Sequence, residues 1–365
     1  MVKRLGRRAV MVGFGGALAT PALAQARFPD RPLRIMVPWT PGGATDIQMR
    51  ALCEQAAKRL GYVPNSVAKA LASGETLAVG LVVGDIENPF FAAAARGMTD
   101  QIEARGHGVL LANSDEDLDR ERAAVETLLA RRVDGLVVVP SSEEPEDHLD
   151  LAARAGALVL LDREVTGLGV DSVTADNLGG ARTATEHLIG HGHTRIGFVS
   201  DSLAISSSAM RLEGYREALE NAGIQFDQDL VSVGGPTAED GYRASLELLE
   251  RSDRPTALFT ANNFMTLGAM HALRFLGLSV PGDVALVGFD DLEWTTLVDP
   301  PVTVVSQPAT EIGREAARLL IARLDGSTEP PKQLRLPTEL IIRLSCGCSN
   351  DCGEPNPKVK MEEVK

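Results

Sequence analysis

Polar residues close most of the short apolar runs in this 365-residue chain. Gly84-Asp85, Asn113, Ser141-Ser142, Asp162-Arg163, Asp176-Asn177, Ser200, Asn262-Asn263 and Asp290-Asp291 all stand at such ends. Asp, Asn and Arg carry planar, two-toothed hydrogen-bonding groups that match the vicinal hydroxyls of a sugar or a carboxylate. Phe90 and Phe91 follow the first run and offer rings for stacking on an apolar sugar face. A single aspartate in such a place is ordinarily a helix cap or turn residue. Recurrence at successive run ends points instead to a small polar ligand. No Gly-x-Ser-x-Gly, Walker loop or dinucleotide fingerprint occurs, so neither enzyme activity nor a cofactor is expected. His187, His191 and His193 have i, i+4, i+6 spacing, while Cys346, Cys348 and Cys352 crowd together without a clear fourth ligand. The expectation there is no metal site and a disordered polar tail over 346–365.

The elements that must position these residues are legible in the hydropathy. Apolar runs recur at 77–83, 108–112, 135–139, 157–161, 172–175, 196–199, 257–260, 284–288 and 302–305, most of them continuous rather than alternating. Strands covered on both faces read this way. Between them, 89–105, 120–131, 179–190, 211–222, 241–249 and 266–276 carry apolar residues at helical spacing. Repeated strand–helix units give doubly wound parallel sheets, and nine or ten strands fit two sheets better than one. In such folds the ligand sits beyond the carboxyl ends of the strands, in the cleft between lobes.

Composition supports a globular reading: 44% apolar and 24% charged residues exclude a disordered, collagen-like or coiled-coil chain. The net charge of −14 disfavours non-specific binding to nucleic acid or anionic membrane, so any DNA contact must be local. Residues 1–60 nevertheless carry ten Lys or Arg against three Asp or Glu. Residues 1–24 have the basic, apolar and small-x-small order of a secretory signal peptide. Beyond them, Pro41-Gly42-Gly43 leads into a helix expected over 44–60. With its leader this stretch resembles the start of the periplasmic substrate-binding proteins of tripartite tricarboxylate transporters, a likeness confined to about the first 60 residues.

From about Gln55 to Ser345 the chain resembles the lactose/galactose-repressor family of bacterial regulators. The residues that carry the likeness are Tyr62-Val-Pro-Asn-Ser-Val-Ala-Lys-Ala-Leu71, Glu87-Asn-Pro-Phe-Phe91, Arg132-Val-Asp-Gly-Leu136, Gly192-His193, Arg211-Leu-Glu-Gly-Tyr215, Ala261-Asn-Asn-Phe-Met265, Gly288-Phe-Asp-Asp291, Asp299-Pro-Pro-Val-Thr303 and Leu336-Pro-Thr-Glu-Leu-Ile-Ile-Arg343. The resemblance implies an α/β, periplasmic-binding-protein-like effector domain: two doubly wound parallel-sheet lobes with a ligand cleft between them. Its expected limits are 75–345, with a first lobe over 75–163 and 306–328 and a second over 164–305 and 329–345. It further implies a cytoplasmic, ligand-responsive homodimeric repressor, whereas a genuine leader would imply an exported solute-binding protein.

Carried over by position, Arg211 and Asp290 take the places of the ligand-clamping arginine and the aspartate opposite it. Asp162, Ser207, Asn262 and Gln307 take those of polar ligand contacts, and Phe90 and Phe91 that of the stacking pair. The effector class implied is a sugar, polyol or sugar acid. The family commonly has Asn-Asp where Asn262-Asn263 stands, so one charge is missing. Residues 59–74 match the hinge helix that meets operator DNA, with Asn65, Lys69 and Leu71 as contacts and Leu71 as the minor-groove wedge. The family's recognition helix is not matched, since residues 25–58 occupy its place; without one, major-groove reading is expected to fail. The first-lobe helix expected over 89–105, rich in small residues at Ala92–Ala95, is the expected dimer seam.

Overall fold

The computed structural model describes residues 43–59 and 76–348, which belong to two separate units. In the first unit, helix α1 (Ala44–Arg59) carries Asp46 in its first turn, where a carboxylate complements the helix dipole. Arg50 Nε donates to both Asp46 oxygens at 3.0 Å across one helical turn. The expected helix is therefore present. The 1–24 leader, Leu60 and the hinge positions Asn65, Lys69 and Leu71 lie outside the described residues.

The second unit holds two lobes. The first has β1 (Ala78–Val83), β2 (Gly108–Asn113), β3 (Gly135–Val138), β4 (Leu158–Leu161), β5 (Asp171–Ala175) and β11 (Gln333–Leu336). They lie in the order β11-β5-β4-β3-β1-β2, every neighbouring pair parallel. Its helices are α2 (Pro89–Ala104), α3 (Leu118–Ala130), α4 (Leu149–Arg154) and α10 (Ala309–Leu324). The second lobe has β6 (Ile196–Ser200), β7 (Val231–Val233), β8 (Ala257–Thr260), β9 (Ala285–Phe289), β10 (Thr303–Ser306) and β12 (Glu339–Ile341). Their order is β12-β10-β9-β8-β6-β7, parallel except for β12 against β10. Around them stand α5 (Asn177–Gly190), α6 (Ser206–Asn221), α7 (Ala238–Leu249), α8 (Asn263–Phe275) and the short α9 (Trp294–Leu297).

The continuous apolar runs follow from cover on both faces. On β1, Val79, Leu81 and Val83 pack with Met98 of α2 and Leu320 of α10, while Val82 packs with Leu128 of α3 and Leu151 of α4. In the second lobe, Phe198 and Val199 of β6 likewise enter opposite cores. Helix α2 begins where Asn88 Oδ1 accepts from the Phe90 amide at 3.0 Å and Pro89 takes the first helical position.

Several boundaries differ from expectation. The first lobe extends to Ala175 rather than 163 and includes 333–336, because β5 pairs with β4 on one side and β11 on the other. Asp171 at the head of β5 is pinned by Arg323 of α10 at 2.6 and 3.0 Å and by the Lys332 amide at 2.7 Å. The polar tail does not begin at 346: Cys346 and Cys348 are buried in the second lobe's core. Ser345 anchors that segment, accepting from the Thr303 amide at 2.8 Å and donating to the Leu286 carbonyl at 2.6 Å. Of Ala92–Ala95 only Ala94 is turned into the lobe, Ala92 being exposed and Ala93 and Ala95 half-buried. Ala94 is buried against α10, and an added Cβ on Gly313 would lie 1.9 Å from the Ala94 carbonyl oxygen. These small residues let α2 and α10 approach backbone to backbone. No helix among the described residues is long and apolar enough to cross a membrane.

Candidate functional site

The strand ends of both lobes deliver the polar set. Asp162 follows β4 with φ 69°, and Asp290 follows β9 with φ 78°. A left-handed aspartate costs conformational energy, so the surroundings must over-determine it. Asn262 follows β8 and caps α8, its Oδ1 accepting from the Met265 amide at 2.9 Å. Arg211 comes from the second turn of α6 and is buried.

Arg211 is fixed in one plane by three contacts. Nε donates to Asn177 Oδ1 at 2.9 Å, Nη1 donates to the Ala261 carbonyl at 2.5 Å, and the guanidinium lies 3.9 Å over the Phe289 ring. Its Nη2 makes no hydrogen bond among the described residues. Asp290 Oδ2 accepts from the Asn263 amide and Nδ2, both at 3.1 Å, and Oδ1 accepts from Gln307 Nε2 at 2.6 Å. A carboxylate at 263, the commoner family residue, would face Asp290 with like charge; asparagine supplies a donor instead.

Burial pushes the Asp162 carboxyl up to about 6; Glu116 and Asp290 push the same way, and Arg163 and Arg211 oppose them. Asp162 of the first lobe thus feels the charges of Arg211 and Asp290 from the second. Arg163 forks onto Glu116 at 2.5 and 2.7 Å and donates to the Pro140 carbonyl at 2.8 Å. The lobes are bridged by Asn263 Nδ2 donating to Asn88 Oδ1 at 3.0 Å and by the Ser206 amide donating to Glu143 Oε1 at 2.6 Å.

Other expected residues fall less simply. Phe90 and Phe91 meet edge to face, 5.2 Å apart, and both enter the first lobe's core. Phe90, Asp290 and Gln307 line a cavity of ≈ 400 Å³ beside the interlobe crossover, together with Glu311 and Arg314. Asp162, Ser207, Arg211 and Asn262 do not line it. Gln307 Oε1 is buried without a partner, and flipping the amide would set that oxygen against the Asp290 carboxylate. Ser207 is buried but makes no hydrogen bond among the described residues; Ser208, its neighbour, donates to Asp201. Asp201 also accepts from Asn262 Nδ2 at 2.8 Å. The sequence reading missed Asp201, although it stands one residue past the Ser200 strand end. It also missed Glu116 and Glu143, which lie in loops without periodicity, and the lobe-bridging role of Asn88, the N-cap of α2.

A separate cluster occupies the far end of α5: His187, His191, Cys346 and Cys348. The two tail cysteines do have histidine partners, contrary to the expectation from spacing. His193 stands apart, 3.0 Å from Thr256 Oγ1 beside the Gly192 turn.

Two doubly wound lobes meeting over strand-end polar groups define a periplasmic-binding-protein-like effector domain. Residues 185–346 match the family described as periplasmic binding protein-like domain. Catabolite control protein A of Priestia megaterium is 34% identical over 290 residues, covering 79% of this chain and 87% of that protein. The structure of the transcriptional regulator CelR in complex with cellobiose superposes with a TM-score of 0.68 at 36% identity, covering 82% of this chain and 90% of that one. A LacI family transcriptional regulator from Enterococcus faecium with bound ribose gives 0.67 at 28% identity, covering 73% and 98%. The chain belongs to the LacI/GalR family of transcriptional regulators.

Proposed function

We propose that this regulator is a repressor-type sensor of a neutral sugar or polyol bound between its lobes. The observation that carries the reading is the Arg211 guanidinium, held rigid by Asn177, Ala261 and Phe289 while acting on Asp162 across the lobes. A pre-set donor fork opposite carboxylates suits vicinal hydroxyls, which both donate and accept. Asp162, Asp201, Asp290, Glu116 and Glu143 outnumber Arg163 and Arg211 around this space, so a sugar acid is disfavoured relative to a neutral sugar. The relatives bound to cellobiose and ribose support the same class. In this reading Asn262, Ser207 and Gln307 make polar contacts, and Phe90 and Phe91 shape the first-lobe wall.

In this reading the regulator acts in the cytoplasm as a homodimer and catalyses no reaction; Asn65, Lys69 and Leu71 take the places of the hinge contacts with operator DNA in relatives, while the unmatched recognition helix leaves operator binding by this chain weak. A calorimetric screen of neutral pentoses, hexoses and disaccharides against sugar acids tests the ligand class. For the best neutral ligand, Arg211→Ala should weaken binding by about 2–5 kcal/mol, the cost of losing a buried charged contact. Equal affinity in the substituted protein refutes the site.

A further inference from the structure

We propose that His187, His191, Cys346 and Cys348 form a structural zinc site that fastens the C-terminal segment to helix α5. The four donor atoms lie within 4.8 Å of one another. Cys348 Sγ stands 3.1 Å from His191 Nε2 and 3.6 Å from His187 Nε2. In a tetrahedral site with zinc–nitrogen and zinc–sulfur bonds of about 2.0–2.3 Å, ligand atoms are about 3.3–3.8 Å apart. The Cys348–histidine edges are thus already near those of one coordination tetrahedron, and side-chain rotation shortening the longest side by about 1 Å would close it.

The local structure explains how two distant segments converge. His187 and His191 are one turn apart on the last turn and cap of α5, so both rings project from one face, with centroids 4.7 Å apart. Gly347, between the cysteines, has φ 94°, a left-handed conformation that turns the chain and suits glycine. Thr303 Oγ1 donates to Cys346 Sγ at 3.2 Å, the kind of outer contact that steadies a thiolate ligand. Both cysteines are buried and His191 is exposed, which leaves an ion a path of entry. The carbonyl end of a helix also favours a cation.

Two thiolates and two imidazoles suit zinc, and four protein ligands close the coordination shell, so the role is structural rather than catalytic. The site is remote from the sugar cleft: Asn177, which contacts Arg211, begins α5, and His191 caps its other end, about 20 Å away at 1.5 Å per residue.

The test uses the full chain, purified under reducing conditions. Incubation with zinc and then dialysis should leave one zinc per chain by mass spectrometry. Titration with Co²⁺ should give the ligand-field bands of a tetrahedral ion and a thiolate charge-transfer band, both abolished by excess zinc. His191→Leu and Cys348→Ser should lose the bound metal while retaining native circular dichroism, whereas Cys352→Ser should keep it. Removing zinc from the wild type with a strong chelator should lower its melting temperature. Wild-type protein with titratable thiols but no cobalt spectrum overturns the proposal. So does metal retained in Cys348→Ser and lost in Cys352→Ser.

Discussion

Asn88 and Asn263 stand 175 residues apart in the chain, yet Asn263 Nδ2 donates to Asn88 Oδ1 at 3.0 Å and so joins the first lobe to the second. The same Asn88 oxygen caps α2 through the Phe90 amide. Asn263 in turn holds Asp290. A helix start, a lobe contact and a candidate ligand carboxylate are therefore coupled through two amide side chains.

Asn88→Ser separates the two roles of that residue. Serine still caps a helix but is too short to reach Asn263. Thermal stability should stay within about 1 kcal/mol of wild type, while sugar affinity falls by up to about tenfold as the lobe-closed state loses one hydrogen bond. Calorimetry and a melting curve on the same preparation check this. Unchanged affinity would show that the contact does not influence closure.

Asp162 sets a pH dependence. Its folded value of about 6 lies above the ordinary value of 3.8, so the native state holds the proton more tightly between those limits. The stability this group contributes is complete below about pH 4 and is lost as pH rises through about 6, leaving an ionised buried carboxylate that costs about 2–3 kcal/mol at neutral pH. Asp162→Asn should therefore be more stable than wild type at pH 7 and show a shallower decline between pH 4 and 7. Urea unfolding at stepped pH measures both, and a steeper decline in the variant contradicts the assignment. Sugar hydroxyls donating to the ionised Asp162 should also bind the wild type more tightly at pH 7.5 than at pH 5.

Gly313→Ala tests the contact between α2 and α10. Its Cβ would meet the Ala94 carbonyl oxygen, part of another helix's backbone, which cannot move aside as a flexible side chain would. Overpacking of this kind costs about 1–3 kcal/mol or more, read as a lower urea midpoint at unchanged slope. A midpoint equal to wild type would mean that the helices part freely.

Operator binding should be weak for this chain. Base reading by relatives of this class depends on a recognition helix in the major groove, and the sequence of residues 25–58 does not match one. The hinge residues Lys69 and Leu71 offer few contacts, and the net charge of −14 opposes approach to the duplex. Fluorescence anisotropy with palindromic duplexes should show micromolar or weaker binding that collapses as salt rises. Sequence-selective nanomolar binding at physiological salt would show that residues 25–60 form a working headpiece.

All nine anticipated strands, β1 to β6 and β8 to β10, are present, and most announce themselves because both faces are covered and their text is continuously apolar. Edge strands β7, β11 and β12 do not, being three or four residues long and partly exposed. Asp162, Asn262 and Asp290 are legible because a strand end is a local feature that hydropathy marks. Glu116 and Glu143 gain their places only from the approach of loops that carry no pattern, and Asn88, legible as a helix cap, gains its second partner Asn263 only from the approach of the lobes.

What the sequence determines by itself is therefore local or family-wide: burial patterns, strand ends, and the motifs from Gln55 to Ser345. Long-range pairing belongs to the tertiary structure. It decides that β5 and β11 join the first lobe, and that Ala94 of α2 meets Gly313 of α10. It also sets Cys348 beside His187 and His191, 161 and 157 residues away. Periodicity reports which face of an element is buried but not which distant element covers it, and that identity depends on the packing of all the layers at once.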